Sequence, residues 1–172
     1  MVYAWTLTCL SHITVAARPA AETGGTKINS MSIDNDYFAR VQQSFDKQGM
    51  MKTLHAQLVS AELGQVKISC PFSGDLTQQH GFFHAGVATS IADSACGYAA
   101  LTMMPEEMEV LSVEYKINFL RPAKTDKLIA VGQVLKPGKT LTICEASVYD
   151  SQEEMLIAKM TATMIAIQPP VY

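Results

Sequence analysis

Between Gln78 and Ala100 the chain reads QQHGFFHAGVATSIADSACGYAA, and this stretch constrains the fold more than any other. From about Ala85 it has the composition of a helix built from small apolar residues. Such a helix has no polar face to leave in water, so other structure must cover it on nearly all sides. Asp93 nevertheless stands in its middle, with no Lys or Arg anywhere in the stretch. A carboxylate taken from water is costly unless it is hydrogen-bonded. Asp93 is therefore either a structural acceptor for Thr89 or Ser90, one turn away, or a base facing a cleft.

The flanking sequence supplies the cover. Phe38, Val41 and Phe45 recur at helical spacing after Asp34, a residue suited to an N-cap, and Gly49 is placed to end that helix. HAQLVSAEL and QVKISCPF alternate like two short strands around Gly64. Beyond the long helix, VLSVEYKINFLRP predicts a strand with Leu111, Val113, Tyr115, Ile117 and Phe119 on one face. Ser112, Glu114, Lys116 and Asn118 fall on the other. DKLIAVGQVL and TLTICEASVYD flank the hairpin signal KPGK, and LIAKMTATMIAI makes a last strand. Strands gathered around one helix predict an α+β architecture, a curved antiparallel sheet wrapped around a long central helix. A second subunit would cover what the sheet leaves open.

Residues 1–30 lack the basic start and unbroken apolar run of a signal peptide, and they read as a flexible N-terminal extension, or else a weak targeting signal, before a domain at 31–172. A net charge of −3 without a Lys/Arg cluster argues against nucleic acid. No apolar run approaches the ~18 residues of a membrane span. Cys9, Cys70, Cys96 and Cys144 form no CxxC pair, so buried free thiols in a reducing, cytoplasmic setting are expected.

His84 stands just before the long helix, where the backbone N–H groups of Ala85, Gly86 and Val87 have no intrahelical partner. That end is partially positive and suits an oxyanion. Gly81 and Gly86 allow a ligand to approach the backbone closely. Phe82 and Phe83 are either core or the wall of an acyl or aryl pocket. His84 and Asp93 lie nine residues apart, which on a helix is ~13.5 Å of rise and about half a turn beyond two full turns. Their side chains diverge, so one site using both must draw on two copies of the chain. HGFFH lacks the Glu of a zinc HExxH motif, and no GxSxG elbow or phosphate loop is present.

These residues resemble the N/Q-x-x-G-x-x-H-G-G-x(6)-D signature of hotdog-fold acyl-CoA thioesterases of the phenylacetate-pathway (PaaI) type. The resemblance continues through VLSVEYKINFLRPA, GQVLKPGKTL and LIAKMTATMIAI, covering about residues 34–168. It implies that Asp93 is the catalytic carboxylate, a general base on water or a nucleophile forming an anhydride. Gln78 would hold the thioester or the water, and His84 would support the thioester-binding loop. Ala85 replaces the usual glycine but keeps the N–H that polarises the carbonyl. Ser112 matches a serine that positions the water in some relatives, or is an ordinary strand residue.

The same resemblance implies coenzyme A lying across a subunit boundary, its phosphates near Arg121, Lys136 or Lys139, with Gly86, Phe82 and Phe83 against the substrate. No metal or separate cofactor is expected, coenzyme A being part of the substrate, and the expected assembly is a homodimer or a dimer-of-dimers tetramer. Two other functions stay open on the sequence: an enoyl-CoA hydratase or dehydratase using His80 and Asp93, and a non-catalytic acyl-CoA binder.

Overall fold

The computed structural model describes residues 36–169. The N-terminal extension, the boundary at residue 31, Asp34 and Cys9 lie outside the described residues. Helix α1 (Tyr37–Phe45) is capped by Asp36, whose carboxylate accepts from the Ala39 N–H at 2.9 Å. Val41 and Phe45 are buried, while Phe38 on the same predicted stripe is exposed. Gly49 does not end this helix. The break comes at Asp46–Gln48, and Gly49 opens a second short helix, α2 (Gly49–Thr53). Strands β1 (Gln57–Glu62) and β2 (Gln65–Pro71) follow, joined at Gly64.

The long helix is α3 (Ala85–Leu101). After it come β3 (Glu109–Phe119), β4 (Lys127–Lys136), β5 (Leu141–Tyr149) and β6 (Leu156–Ile167). All pairings are antiparallel, in the order β1-β2-β4-β5-β6-β3. The expected α+β architecture is therefore present, with α3 lying on the inner face of the sheet.

Packing explains the small residues of α3. Ala88, Ala92, Ala95, Cys96 and Ala99 are buried and let the helix settle close to the strands. Ile68, Ala130, Cys144, Ala146, Met160 and Met164 meet them in one core. The approach is tightest at Gly132 of β4. A Cβ there would sit 2.3 Å from the Ala95 carbonyl and 2.7 Å from the Cys96 nitrogen.

Two features differ from the sequence reading. First, α3 does have a polar side. Thr89, Ser90, Asp93, Ser94 and Gly97 recur along one stripe and are half-buried, because the sheet covers only the opposite face. Second, the faces of β3 do not alternate throughout. Val113 is an extra residue where the register with β6 shifts, Ser112 pairing with Met164 and Glu114 with Thr163. Ser112 is thereby turned to the inner face with Tyr115, Ile117 and Phe119, whose partners Ala162, Met160 and Ala158 are buried. Leu111 joins Glu114, Lys116 and Asn118 outside.

Strand β3 is also an edge of the sheet, eleven residues long. Leu111 is 55% exposed, Val113 53%, Tyr115 47% and Phe119 49%. A long apolar edge of this kind is a template for pairing with another strand.

Candidate active site

The loop before α3 is built to hold the helix N-terminus open. The Gln78 carbonyl accepts from the Gly81 N–H at 3.0 Å, and the Gln78 N–H donates to the Phe82 carbonyl at 2.9 Å. Gly81 has φ +79° in this turn. The Gln78 side-chain oxygen accepts from the His80 N–H, which leaves the amide NH2 as the donor end. The His84 N–H donates to the Leu76 carbonyl at 2.8 Å.

His84 is the N-cap of α3. Its Nδ1 accepts from the Gly86 N–H at 2.9 Å and its carbonyl from the Val87 N–H at 3.0 Å. An accepting Nδ1 leaves the ring proton on Nε2. Of the three helix-end donors expected to be free, two are thus taken by His84. The Ala85 N–H remains, exposed and without an acceptor among the described residues. It is one fixed donor at the positive end of a seventeen-residue helix.

Gly86 matters here because a Cβ on it would stand 3.0 Å from His84 Nδ1. Gly86→Ala is expected to push the imidazole off its cap and to cost about 1 kcal/mol of stability. Thermal unfolding, compared with His84→Ala, checks this: the two variants should lose similar amounts.

Gln78, Phe82, Phe83, His84, Ala85, Phe119 and Arg121 line a cleft of ≈ 450 Å³. Phe83 is core as well as wall: it is 4% exposed and meets Phe72 edge-on at 5.3 Å. Phe82 is half-buried. Arg121 donates to the Leu156 carbonyl at 2.8 Å. Lys136 and Lys139 do not join this cleft. They are exposed at the β4–β5 hairpin, about 30 Å along β4 from its start.

Asp93 lies elsewhere. Its Oδ1 accepts from the Ser112 hydroxyl at 2.6 Å, which ties the helix to β3 through the residue turned inward by the bulge. Thr89 and Ser90 do not serve it, since they donate to the Ala85 and Gly86 carbonyls at 3.0 and 2.8 Å. The second carboxylate oxygen has no hydrogen-bond partner among the described residues. Asp93 is half-buried and borders a pocket of ≈ 180 Å³ with Gln48, Ser94, Gly97, Tyr98, Val110, Leu111 and Ser112. His80 lines neither cavity.

Gln48, Ser94 and Tyr98 were not singled out by the sequence. The Gln48 amide donates to the Tyr98 oxygen at 2.7 Å, and the Ser94 hydroxyl donates to the Gln48 carbonyl oxygen at 3.3 Å. Burial pushes the Tyr98 phenol above its ordinary range. The only sequence signal was the i, i+4 spacing of Ser94 and Tyr98 on the Asp93 side of the helix. Among the described residues no cysteine lines either cavity. Cys70, Cys96 and Cys144 are free and buried, and burial raises Cys70 to about 11 and Cys144 to about 12. Among the described residues no group of three or more His, Cys, Asp or Glu side chains comes together, and no helix is long and apolar enough to cross a membrane.

Within one chain the predicted site residues thus border two separate cavities. Ser112 and Phe119 are seven residues apart on β3, roughly 23 Å along the strand, and each cavity is lined by one of them.

The comparisons with known proteins agree with the fold. The thioesterase superfamily profile matches residues 80–157. The structure is similar to a thioesterase family protein from Silicibacter pomeroyi, 45% identical, covering 77% of this chain and 98% of that one with a TM-score of 0.74. It also shares its fold with the E. coli PaaI protein of the phenylacetic acid degradation operon, at 20% identity, 76% and 93% coverage and a TM-score of 0.70. In sequence it is 26% identical over 109 residues to the 1,4-dihydroxy-2-naphthoyl-CoA hydrolase of Listeria monocytogenes, 63% of this chain and 88% of that protein. The chain belongs to the thioesterase superfamily, and its fold is the hotdog fold. Its reaction class is the hydrolysis of thioesters.

Proposed function

We propose that this protein is an acyl-CoA thioesterase of the PaaI type whose sites are shared between two copies of the chain. The observation that carries this reading is the placing of the two half-sites at opposite ends of an open edge strand. If β3 pairs antiparallel with β3 of a second copy about its middle, between Tyr115 and Lys116, Ser112 of one chain falls beside Phe119 of the other. The Asp93 pocket of one protomer then faces the Ala85 end of its partner, and two equivalent sites form about the twofold axis. The same pairing covers Tyr115 and Phe119. We extend the proposal to a tetramer made of two such dimers, and to a cytoplasmic setting that keeps the three buried thiols reduced.

In this reading the thioester carbonyl points at the Ala85 N–H and the amide of Gln78 holds the carbonyl or the attacking water. Water attacks the carbonyl carbon while the Asp93 carboxylate takes its proton, and Ser112 fixes the orientation of that carboxylate. The developing oxyanion is stabilised by the Ala85 N–H and the helix dipole. Collapse of the tetrahedral intermediate breaks the C–S bond, and the proton held by Asp93 goes to the leaving sulfur. His84 acts on the reaction only by fixing the start of α3. Attack by Asp93 itself, through an anhydride, uses the same geometry.

The test is incubation of the purified full chain with acyl-CoA thioesters and a colour reagent for free thiol. Release of coenzyme A is expected. No release, or only the hydration of an enoyl-CoA, would contradict the proposal.

A further inference from the structure

The side of the sheet turned away from α3 holds a cavity that plays no part in the proposed hydrolysis. Its volume is ≈ 490 Å³, larger than the ≈ 450 Å³ cleft at the start of α3 and within the range of small-molecule sites. Strand register makes it. Lys67, Val131, Ser147 and Lys159 pair in turn across β2, β4, β5 and β6, so they form one row on one face. Their chain neighbours Ala130, Ala146 and Met160 are buried in the core, which puts this row on the outside. Two short side chains between two lysines leave a hollow. The adjoining row of Gln65, Gln133 and Glu145 borders one end of it, and Tyr149 borders the other.

The walls are fixed by specific contacts. On one side the Lys67 ammonium donates to both Glu153 oxygens, at 2.9 and 2.7 Å. Glu153 stands in the β5–β6 turn at φ +60°, a left-handed conformation unfavourable for a residue with a Cβ. The Asp150 carboxylate holds that turn by accepting from the Glu154 and Met155 N–H groups, each at 3.0 Å. The Thr125 hydroxyl oxygen accepts from the Ser151 N–H at 3.0 Å. On the other side Lys159 donates to Glu145 at 2.8 Å and to the Ser147 oxygen at 3.0 Å.

These contacts decide the chemistry of a ligand. The two lysines and two glutamates cancel in charge, so an ion gains little here. Each ammonium keeps one N–H beyond the two it has donated. The Gln65 and Gln133 amides and the Tyr149 hydroxyl line the cavity and have no hydrogen-bond partner among the described residues. Amides and a phenol both donate and accept, as a ligand hydroxyl does, and the Tyr149 ring adds one apolar wall. We propose that this cavity is a second binding site, for a neutral, hydroxyl-rich molecule of sugar size. It lies on the opposite face of the sheet from α3 and stands apart from the thioester chemistry.

The experiment titrates the full chain with glucose, galactose and maltose, each up to about 10 mM, and follows saturation transfer from protein to sugar by NMR. Transfer to at least one of the three is expected. Gln133→Leu, which removes an amide and fills part of the hollow, should weaken that binding about tenfold. Gln133 is exposed, so the variant should melt with the wild type. Gln57→Leu, also exposed and outside the cavity, is the control and should bind as the wild type does. No transfer to any of the sugars would overturn the proposal, and so would equal binding by the wild type and Gln133→Leu. An unfolding temperature raised by inorganic phosphate and not by the sugars would overturn the assignment of a neutral ligand. Each of these outcomes leaves the thioesterase reading where it stands, since thiol release tests that separately.

Discussion

Asp93→Asn is expected to lower kcat by about 10²–10⁴, the range of a general base, while the folded protein keeps its unfolding temperature within roughly 2 °C. The substitution isolates the chemistry. Asn has the shape of Asp, and its side-chain oxygen can still accept the 2.6 Å bond from Ser112. What it lacks is the basic second oxygen, the one with no hydrogen-bond partner among the described residues. A scaffolding carboxylate would behave differently: Asn would satisfy Ser112 and turnover would stay within about threefold. Single-turnover and steady-state rates on one thioester, measured beside thermal melts, separate the two cases.

Gly132→Ala should cost on the order of 3 kcal/mol of stability, with an unfolding midpoint about 10 °C lower. A Cβ at residue 132 meets backbone, the Ala95 carbonyl at 2.3 Å and the Cys96 nitrogen at 2.7 Å. No side chain can rotate away to make room, so α3 must lift from β4 or the strand must bend. Either response loosens the contacts of Ala92, Ala95 and Cys96 with the sheet. Gly49→Ala is the control, since a Cβ there meets nothing within 4 Å, and its midpoint should stay within ~2 °C. Equal midpoints for the two variants would show that the close approach of helix and strand is not a determinant of stability.

Much of the fold is legible in the sequence because the periods are clear. Alternation in residues 57–71 and 141–167 and the unbroken small apolar run of α3 each admit one kind of element. Asp93 announced itself by its charge. The pairing of Asp93 with Ser112 was not legible from period alone, because the extra residue at Val113 reverses which face Ser112 occupies. A bulge is decided by the partner strand, and strand order here is not sequence order: β3 lies beside β6, at an edge. Gly132 did leave a signal, a lone glycine inside a strand pattern, which often marks the close approach of another backbone. Gln48 left none, since it belongs to a turn between two short helices and reaches α3 only through tertiary structure. The polar stripe of α3 was hidden for another reason. Thr, Ser and Gly are small enough to pass for core residues when they alternate with Ala.

In the proposed dimer a carboxylate from one chain works at the helix end of another, and mixing inactive chains tests that most directly. Asp93→Asn and His84→Ala chains, each poor alone, should be unfolded and refolded together in equal amounts. Half the dimers are then mixed, and each mixed dimer holds one site with both groups intact, so about one quarter of wild-type activity should return. Activity no higher than the average of the two separate variants would contradict the shared site.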